Sequence, residues 1–192
     1  MGLIATYFVN MFGYMIVALP IYLIARLIFV KIRKRPVSKS REILLALFVL
    51  YLVGLASQTI IPEWNIRVEG GRFYFDVYLY NNLTTVNFIP FRTIFSYSQY
   101  VSDWDSVSLV NLLGNVFVFS PIGFFIPLLW RRFDSFTSIF FIGLGVTCFI
   151  ESIQYFIGRS TDIDDIILNT VGVLIGYFVN IGYRKVWKPT GE

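Results

Sequence analysis

Five apolar stretches, each about long enough to cross a bilayer, decide most of what this chain can become. They run from about Ile4 to Val30, Ile43 to Ile61, Leu109 to Trp130, Phe136 to Ile157 and Asp165 to Tyr183. About 20 apolar residues span the hydrocarbon core, where only helices and closed barrels can satisfy their own backbone. The chain is 56% hydrophobic and only 15% charged, against about 25% charged in soluble domains. The predicted fold is an all-α membrane protein, one domain over residues 1–192 built as a polytopic bundle of about five transmembrane helices. The first stretch lacks the basic start and small-residue cleavage site of a signal peptide and is read as a retained helix. Pro20 is expected to kink it.

Between the second and third stretches lies a hydrophilic excursion, about residues 62–108. Its segment WNIRVEGGRFYFDVYLYNN has two β-prone runs around Gly70-Gly71, which predicts a hairpin over 64–80. Phe73, Phe75, Val77 and Leu79 alternate there with Tyr74, Asp76, Tyr78 and Tyr80. After Pro90, the segment FRTIFSYSQYV predicts a short amphipathic helix in the membrane interface. Aromatics such as Trp64 and Trp104 suit a module lying at the headgroup level.

The net charge of +4 is local rather than general. Basic residues crowd the linker KIRKRPVSKSR, the pair Arg131-Arg132 and the tail after residue 183. That pattern fits an anionic cytoplasmic leaflet rather than a nucleic acid. By the positive-inside rule those segments and the C-terminus are cytoplasmic. The N-terminus, the excursion and the 158–164 turn are then extracytoplasmic. There is no His, and Cys148 is the only Cys. An intrachain disulfide, a Ser-His-Asp triad and the usual Cys/His zinc sites are all excluded.

The residues that ask for an explanation lie between Thr147 and Gly176. A carboxylate near the middle of a membrane helix costs about 2.5–3.5 kcal/mol. A central Leu, Ile or Phe offsets only about 0.3–0.6 kcal/mol, so Glu151 is tolerated by neighbours such as Phe140, Phe141 and Phe149 but not favoured. Gly143, Thr147, Glu151 and Gln154 share one face of the fourth stretch. Asp165, Asn169, Gly172 and Gly176 share one face of the fifth, where Gly172 and Gly176 form a GxxxG seam. Asn111 and Asn115 share a face of the third. Arg159, Asp162 and Asp164 lie in the turn, and Asn87 and Arg92 on the excursion. All of these reach one level of the bundle. They form either a polar network that only locks the helices together, with Arg159 paired to Asp165, or a pocket.

Several of these residues fall in spaced motifs. NFIPF covers Asn87–Phe91, and N-x-x-x-N at Asn111–Asn115 precedes FSPIG at Phe119–Gly123. E-x-x-Q at Glu151–Gln154 is followed by R-x-x-D-x-D-D from Arg159 and N-x-x-G through Gly172. Together, over roughly residues 43–182, they resemble the VanZ-like family, named for a bacterial teicoplanin-resistance protein. The resemblance implies a bacterial polytopic membrane protein linked to low-level resistance to lipoglycopeptides. It supplies no molecular mechanism.

Three functions stay open. In the first, an outward-facing pocket binds an amphiphilic envelope ligand, either a lipoglycopeptide or a lipid-linked cell-wall precursor. Asn87, Arg92, Asn111, Asn115, Gln154, Arg159, Asp162 and Asn169 would contact it, with Arg92 or Arg159 gripping a phosphate. The second is an intramembrane enzyme acting on a lipid-linked substrate. Glu151 would be its general acid/base and Asp164 or Asp165 the second carboxylate. No cofactor is required, although a divalent cation on oxygen ligands fits this reading. The third is a structural or assembly subunit. Expected partners are membrane lipid or those ligands, and no nucleic acid.

Overall fold

The computed structural model describes residues 3–33, 38–78, 86–98 and 107–187; within these, the side chains at 3–8, 63–66, 78, 97–98, 107–111 and 187 fall outside the description. In chain order the elements are helices α1 (Leu3–Arg33) and α2 (Lys39–Thr59), strands β1 (Glu63–Glu69), β2 (Arg72–Tyr78) and β3 (Val86–Asn87), then helices α3 (Arg92–Ser98), α4 (Val107–Leu129) and α5 (Phe136–Phe156). Strand β4 (Thr161–Asp162) leads into helix α6 (Ile163–Trp187). Helices α1, α2, α4, α5 and α6 are each long and apolar enough to cross a membrane. The all-α multi-pass architecture is therefore as predicted. The helix ends run past the apolar stretches where polar residues can still coil. Thus α6 starts at Ile163 rather than Asp165, and Asp164 and Asp165 lie in its first turn, where the helix dipole favours carboxylates. Helix α1 continues through Pro20 without interruption.

The predicted hairpin is present. β1 and β2 pair antiparallel with Glu69 opposite Arg72, leaving Gly70 and Gly71 as a two-residue turn. Their φ angles of 58° and 77° suit a primed turn, where both central residues need positive φ. Arg67 bonds Asp76 at 2.9 Å across the pair. Leu79, Tyr80 and Trp104 lie outside the described residues. A second, parallel pair joins β3 to β4, Asn87 opposite Asp162. Two-residue strands carry no periodicity, and the sequence did not announce them.

The core forms where α4 lies on α6. In lipid, apolar side chains gain little by association, so close packing through small residues holds helices together. A methyl group at Gly172 would fall on the backbone oxygen of Val116, one at Gly176 on that of Ser120, and one at Gly123 on that of Val173. The GxxxG seam of α6 thus meets the backbone of α4, and the glycine of FSPIG answers it from the other side. Val173, fully buried, also fills the space above Gly143 of α5. Phe119, Ile122, Ile139, Ile150 and Tyr177 complete this core with Leu55 of α2.

Pro121 and Pro127 interrupt the hydrogen-bond ladder of α4, and neighbouring side chains bond to carbonyls beside the breaks. Pro121 removes the N–H that would reach Phe117, whose carbonyl accepts from the Ser120 hydroxyl at 2.9 Å. The next carbonyl, Val118, accepts from the Tyr51 hydroxyl at 2.6 Å. Near Pro127, the Phe124 carbonyl accepts from Nδ2 of fully buried Asn180 at 2.9 Å. Tyr51 and Asn180 carry no sequence motif, and their role follows only from where α2 and α6 lie. At the basic end of the bundle, Asp134 in the α4–α5 connection makes a two-pronged ion pair with Arg184 of α6.

Two outcomes follow. Gly176→Ala should lower the thermal unfolding temperature of the detergent-solubilised protein, at about 1–3 kcal/mol for overpacking, whereas Gly145→Ala, with nothing within 4 Å of the added carbon, should not. The Arg184 guanidinium holds the Asp134 carboxyl below its ordinary range, so this pair stabilises the fold above the unfolded value near ~4 and the benefit disappears as pH falls through the folded value. The unfolding temperature of Asp134→Asn should therefore lie below wild type at pH 7, with the gap closing under acid conditions.

Candidate ligand-binding site

The polar end of the bundle is assembled by the turn between α5 and α6. β4 runs beside β3 and brings Asp162 to Asn87. Oδ1 of Asp162 accepts from Nδ2 of Asn87 at 3.0 Å and from the backbone N–H of Asp164 at 2.9 Å. Its Oδ2 accepts from the Thr93 hydroxyl. Asp164 is fully buried. Its Oδ1 accepts from Phe91 N–H at 2.5 Å, and its Oδ2 from Thr93 N–H at 2.8 Å and Ile94 N–H at 3.1 Å. The first N–H groups of a helix lack intrahelical partners. Asp164 therefore caps α3 from a distant part of the chain, doing what a local Ser or Asp normally does.

The NFIPF loop is fixed by this clamp. Asn87 closes it from within, its Oδ1 accepting from Ile89 N–H at 3.2 Å. Phe91 takes φ 65°, a left-handed conformation that costs a non-glycine residue about 1–3 kcal/mol and persists only where its surroundings over-determine it. The clamped loop leaves Phe88, Ile89 and Phe91 exposed, and Phe95 of α3 with them. An apolar rim thus lies directly against the buried carboxylates. α3 is the short helix expected after Pro90.

Deeper in the bundle, Glu151 of α5 is 3% exposed and accepts from the Asp162 N–H through Oε2 at 3.2 Å. Asp165 accepts from Nδ2 of Asn115 at 2.5 Å through Oδ1, joining α6 to α4. Each of these carboxylates uses one oxygen in those bonds. Asn169, a turn further along α6 and 3% exposed, has an Oδ1 with no hydrogen-bond partner among the described residues. A buried polar atom without a partner costs about 1–3 kcal/mol. Among the described residues, no three His, Cys, Asp or Glu side chains lie close enough to hold a metal ion.

Two further residues of the predicted site, Gln154 and Arg159, bond to the end of α2. Nε2 of Gln154 donates to the Thr59 carbonyl at 3.1 Å, and Nη1 of Arg159 donates to the carbonyls of Gln58 and Thr59 at 3.0 and 3.2 Å. They satisfy the last carbonyls of α2, which a helix end leaves open. Arg159, which the sequence reading pairs with Asp165, is thereby held against α2. Arg92 stands exposed at the start of α3. The side chain of Asn111 lies outside the described residues. Thr93 gives both its hydroxyl and its N–H to the clamp, and nothing in the local sequence distinguishes it. Its only signal is its place three residues after Pro90.

Compared with known proteins, a family model described as VanZ/LLP1 matches residues 43–184. Neither the curated proteins nor the solved structures contain a match. Helix α1 lies outside the matched stretch, while the clamp, Glu151, Asp165 and the glycine seam lie inside it.

If Asp164 holds the loop, Asp164→Ala should expose three backbone donors together. Hydrogen exchange at the amides of Phe91, Thr93 and Ile94 should speed up at least tenfold, while the amides of the α4–α6 core stay protected. Asp164→Asn, which keeps one acceptor oxygen, should fall between the two.

Proposed function

The chain belongs to the VanZ/LLP1 family, and on that premise we propose that its polar end binds an amphiphilic envelope ligand and so contributes to glycopeptide resistance of the teicoplanin type in a bacterial cell membrane. The ligand is a lipoglycopeptide or a lipid-linked cell-wall precursor. The observation that supports this most directly is the clamped loop. It holds exposed Phe88, Ile89 and Phe91 on the carboxylates of Asp162 and Asp164, at the end of the bundle where buried Glu151, half-buried Asp165 and the Asn169 oxygen, which has no partner among the described residues, lie deeper. An apolar chain can lie on the rim while a hydroxyl, amide or ammonium group meets the acceptors behind it. Sites of this kind join a mostly apolar lining to a few fixed polar groups. The formal charge of Glu151, Asp162, Asp164 and Asp165 against Arg159 is −3, which favours a cationic or donor-rich head group.

The distribution of Lys and Arg orients this end outward. Arg33, Lys39, Arg131, Arg132, Arg184 and Lys185 all lie toward the opposite end, so the N-terminus and the polar end would be extracytoplasmic and the C-terminus cytoplasmic. Within this reading the predicted site residues divide by the bonds they already make. Asn87, Asp162, Asp164, Gln154 and Arg159 shape the site through internal bonds. Asn115, Glu151, Asp165, Asn169 and Arg92 remain the groups for contact. A second reading, acid/base catalysis on a lipid-linked substrate, draws on Glu151 and Asp165 being electrostatic neighbours on facing helices.

Glu151→Gln and Asp165→Asn, produced at matched membrane levels, should each reduce teicoplanin tolerance of an expressing cell toward the empty-vector value. Binding of a fluorescent lipoglycopeptide to the purified protein should weaken at least tenfold in parallel. Loss of tolerance with binding intact would favour catalysis. Wild-type tolerance in both variants would end the site hypothesis and leave a network that only holds the bundle together.

A further inference from the structure

At the other end of the bundle, α1, α2 and the end of α4 line an open-sided cavity of about 550 Å³. We propose that it binds a phosphate group, the headgroup of an anionic lipid being one source of that chemistry and free phosphate the other. Three arginines line it, Arg26, Arg33 and Arg41, against one carboxylate, Glu42. Glu42 is fully engaged by Arg26, which bonds both of its oxygens at 2.6 and 2.7 Å. The formal charge of the cavity is therefore +2, and among the described residues Arg33 and Arg41 enter no ion pair.

The arginines are positioned rather than merely near. The ring of Phe29 has the Arg26 guanidinium 5.1 Å from its centroid on one contact and that of Arg33 at 5.4 Å on another. Both cations are thus anchored through ring contacts with donors to spare, because a guanidinium carries five N–H donors. Arg41 reaches the last carbonyl of α4, Leu129, at 3.4 Å, a long bond that leaves its other nitrogens available. Ser38, the N-cap of α2, also lines the cavity, and its side chain makes no capping bond. Planar bidentate donors of this kind suit phosphate oxygens.

The rest of the lining is largely apolar: Phe29, Val30, Leu45, Leu129 and Trp130. A cavity that mixes arginines with aliphatic and aromatic side chains suits a phosphate head carrying hydrocarbon. Its volume lies within the roughly 300–1,000 Å³ of ligand pockets. Seven of the ten lining residues precede residue 43, where the family match begins. The cavity is thus largely a product of α1 and of the start of α2, and it shares no residue with the polar end.

The test uses the full-length protein purified in mild detergent after exposure to equal amounts of phosphatidylglycerol and phosphatidylcholine. Bound lipid is read by native mass spectrometry. Phosphatidylglycerol should be retained at least tenfold over phosphatidylcholine, and Arg33→Gln combined with Arg41→Gln should abolish that preference with circular dichroism unchanged. Leu45→Trp, which fills the cavity and keeps every charge, should also reduce retention. Arg131→Gln with Arg132→Gln, exposed basic residues at the same end, should leave it intact. If neither lipid is preferred but inorganic phosphate raises the unfolding temperature of wild type and not of the Arg33/Arg41 variant, free phosphate is the source. Equal retention of both lipids with no phosphate effect would overturn the proposal, and so would an equal loss in the Arg131/Arg132 variant, which would mean general surface charge.

Discussion

The contact of α4 with α6 is made backbone to backbone, and the rest of the molecule is arranged around it. A bilayer offers no hydrophobic drive for one apolar helix to leave lipid for another. What it rewards is close approach, dispersion contact and weak Cα–H···O bonds, and these need helices without side chains between them. Gly172 and Gly176 admit the carbonyls of Val116 and Ser120, and Gly123 admits that of Val173. Once α6 is set in this rotation, its remaining face is committed. Asp165 comes to Asn115, Val173 to Gly143, and Asn180 to the Phe124 carbonyl near Pro127.

The polar end shows how a membrane bundle can carry several carboxylates at tolerable cost. Each is given donors that water would otherwise supply. Asp164 receives three backbone N–H groups, Asp162 receives Asn87, Thr93 and its own chain, and Glu151 receives the Asp162 N–H. In return α3 gains a cap and Phe91 is held at a φ it would not adopt alone. Much of the acidic cluster is therefore structural, and that is compatible with a binding role. A loop held this firmly can present an apolar rim in one conformation, which reduces the entropy lost when a ligand settles on it. At this end the Asn169 oxygen is a buried acceptor with no partner among the described residues.

Helix α1 stands apart from this economy of contacts. It packs mainly on α2, with Met11 and Met15 over Gly54 and the Arg26–Glu42 pair at the basic end. Most of its apolar side chains, Ile16, Leu27 and Ile32 among them, are exposed by the chain itself. Added to the family-matched portion, it changes little at the polar end and creates the arginine-lined cavity at the other. The two ends thus carry opposite charge, acidic at the clamp and basic at the cavity.

Span number, helix type, the hairpin at Gly70-Gly71 and the level at which polar groups gather were all legible in the sequence. Apolar length is set by bilayer thickness, turn glycines by backbone sterics, and helix faces by a period of 3.6 residues, all of them local properties. The seam was legible too, as a pattern of glycines, though not its partner. What the polar residues do was decided only by tertiary structure. Asp164 and Asp165 are adjacent in sequence and chemically alike, yet one caps α3 and the other meets Asn115 on α4. Arg159 and Gln154 resemble ligand groups but close the end of α2. Thr93, Tyr51 and Asn180 resemble nothing, and each donates a hydrogen bond to a group on another element. A side chain's type limits which bonds it can form. Which bond it does form depends on the donor or acceptor that folding brings within about 3 Å, and for these residues that partner lies on a different element of the chain.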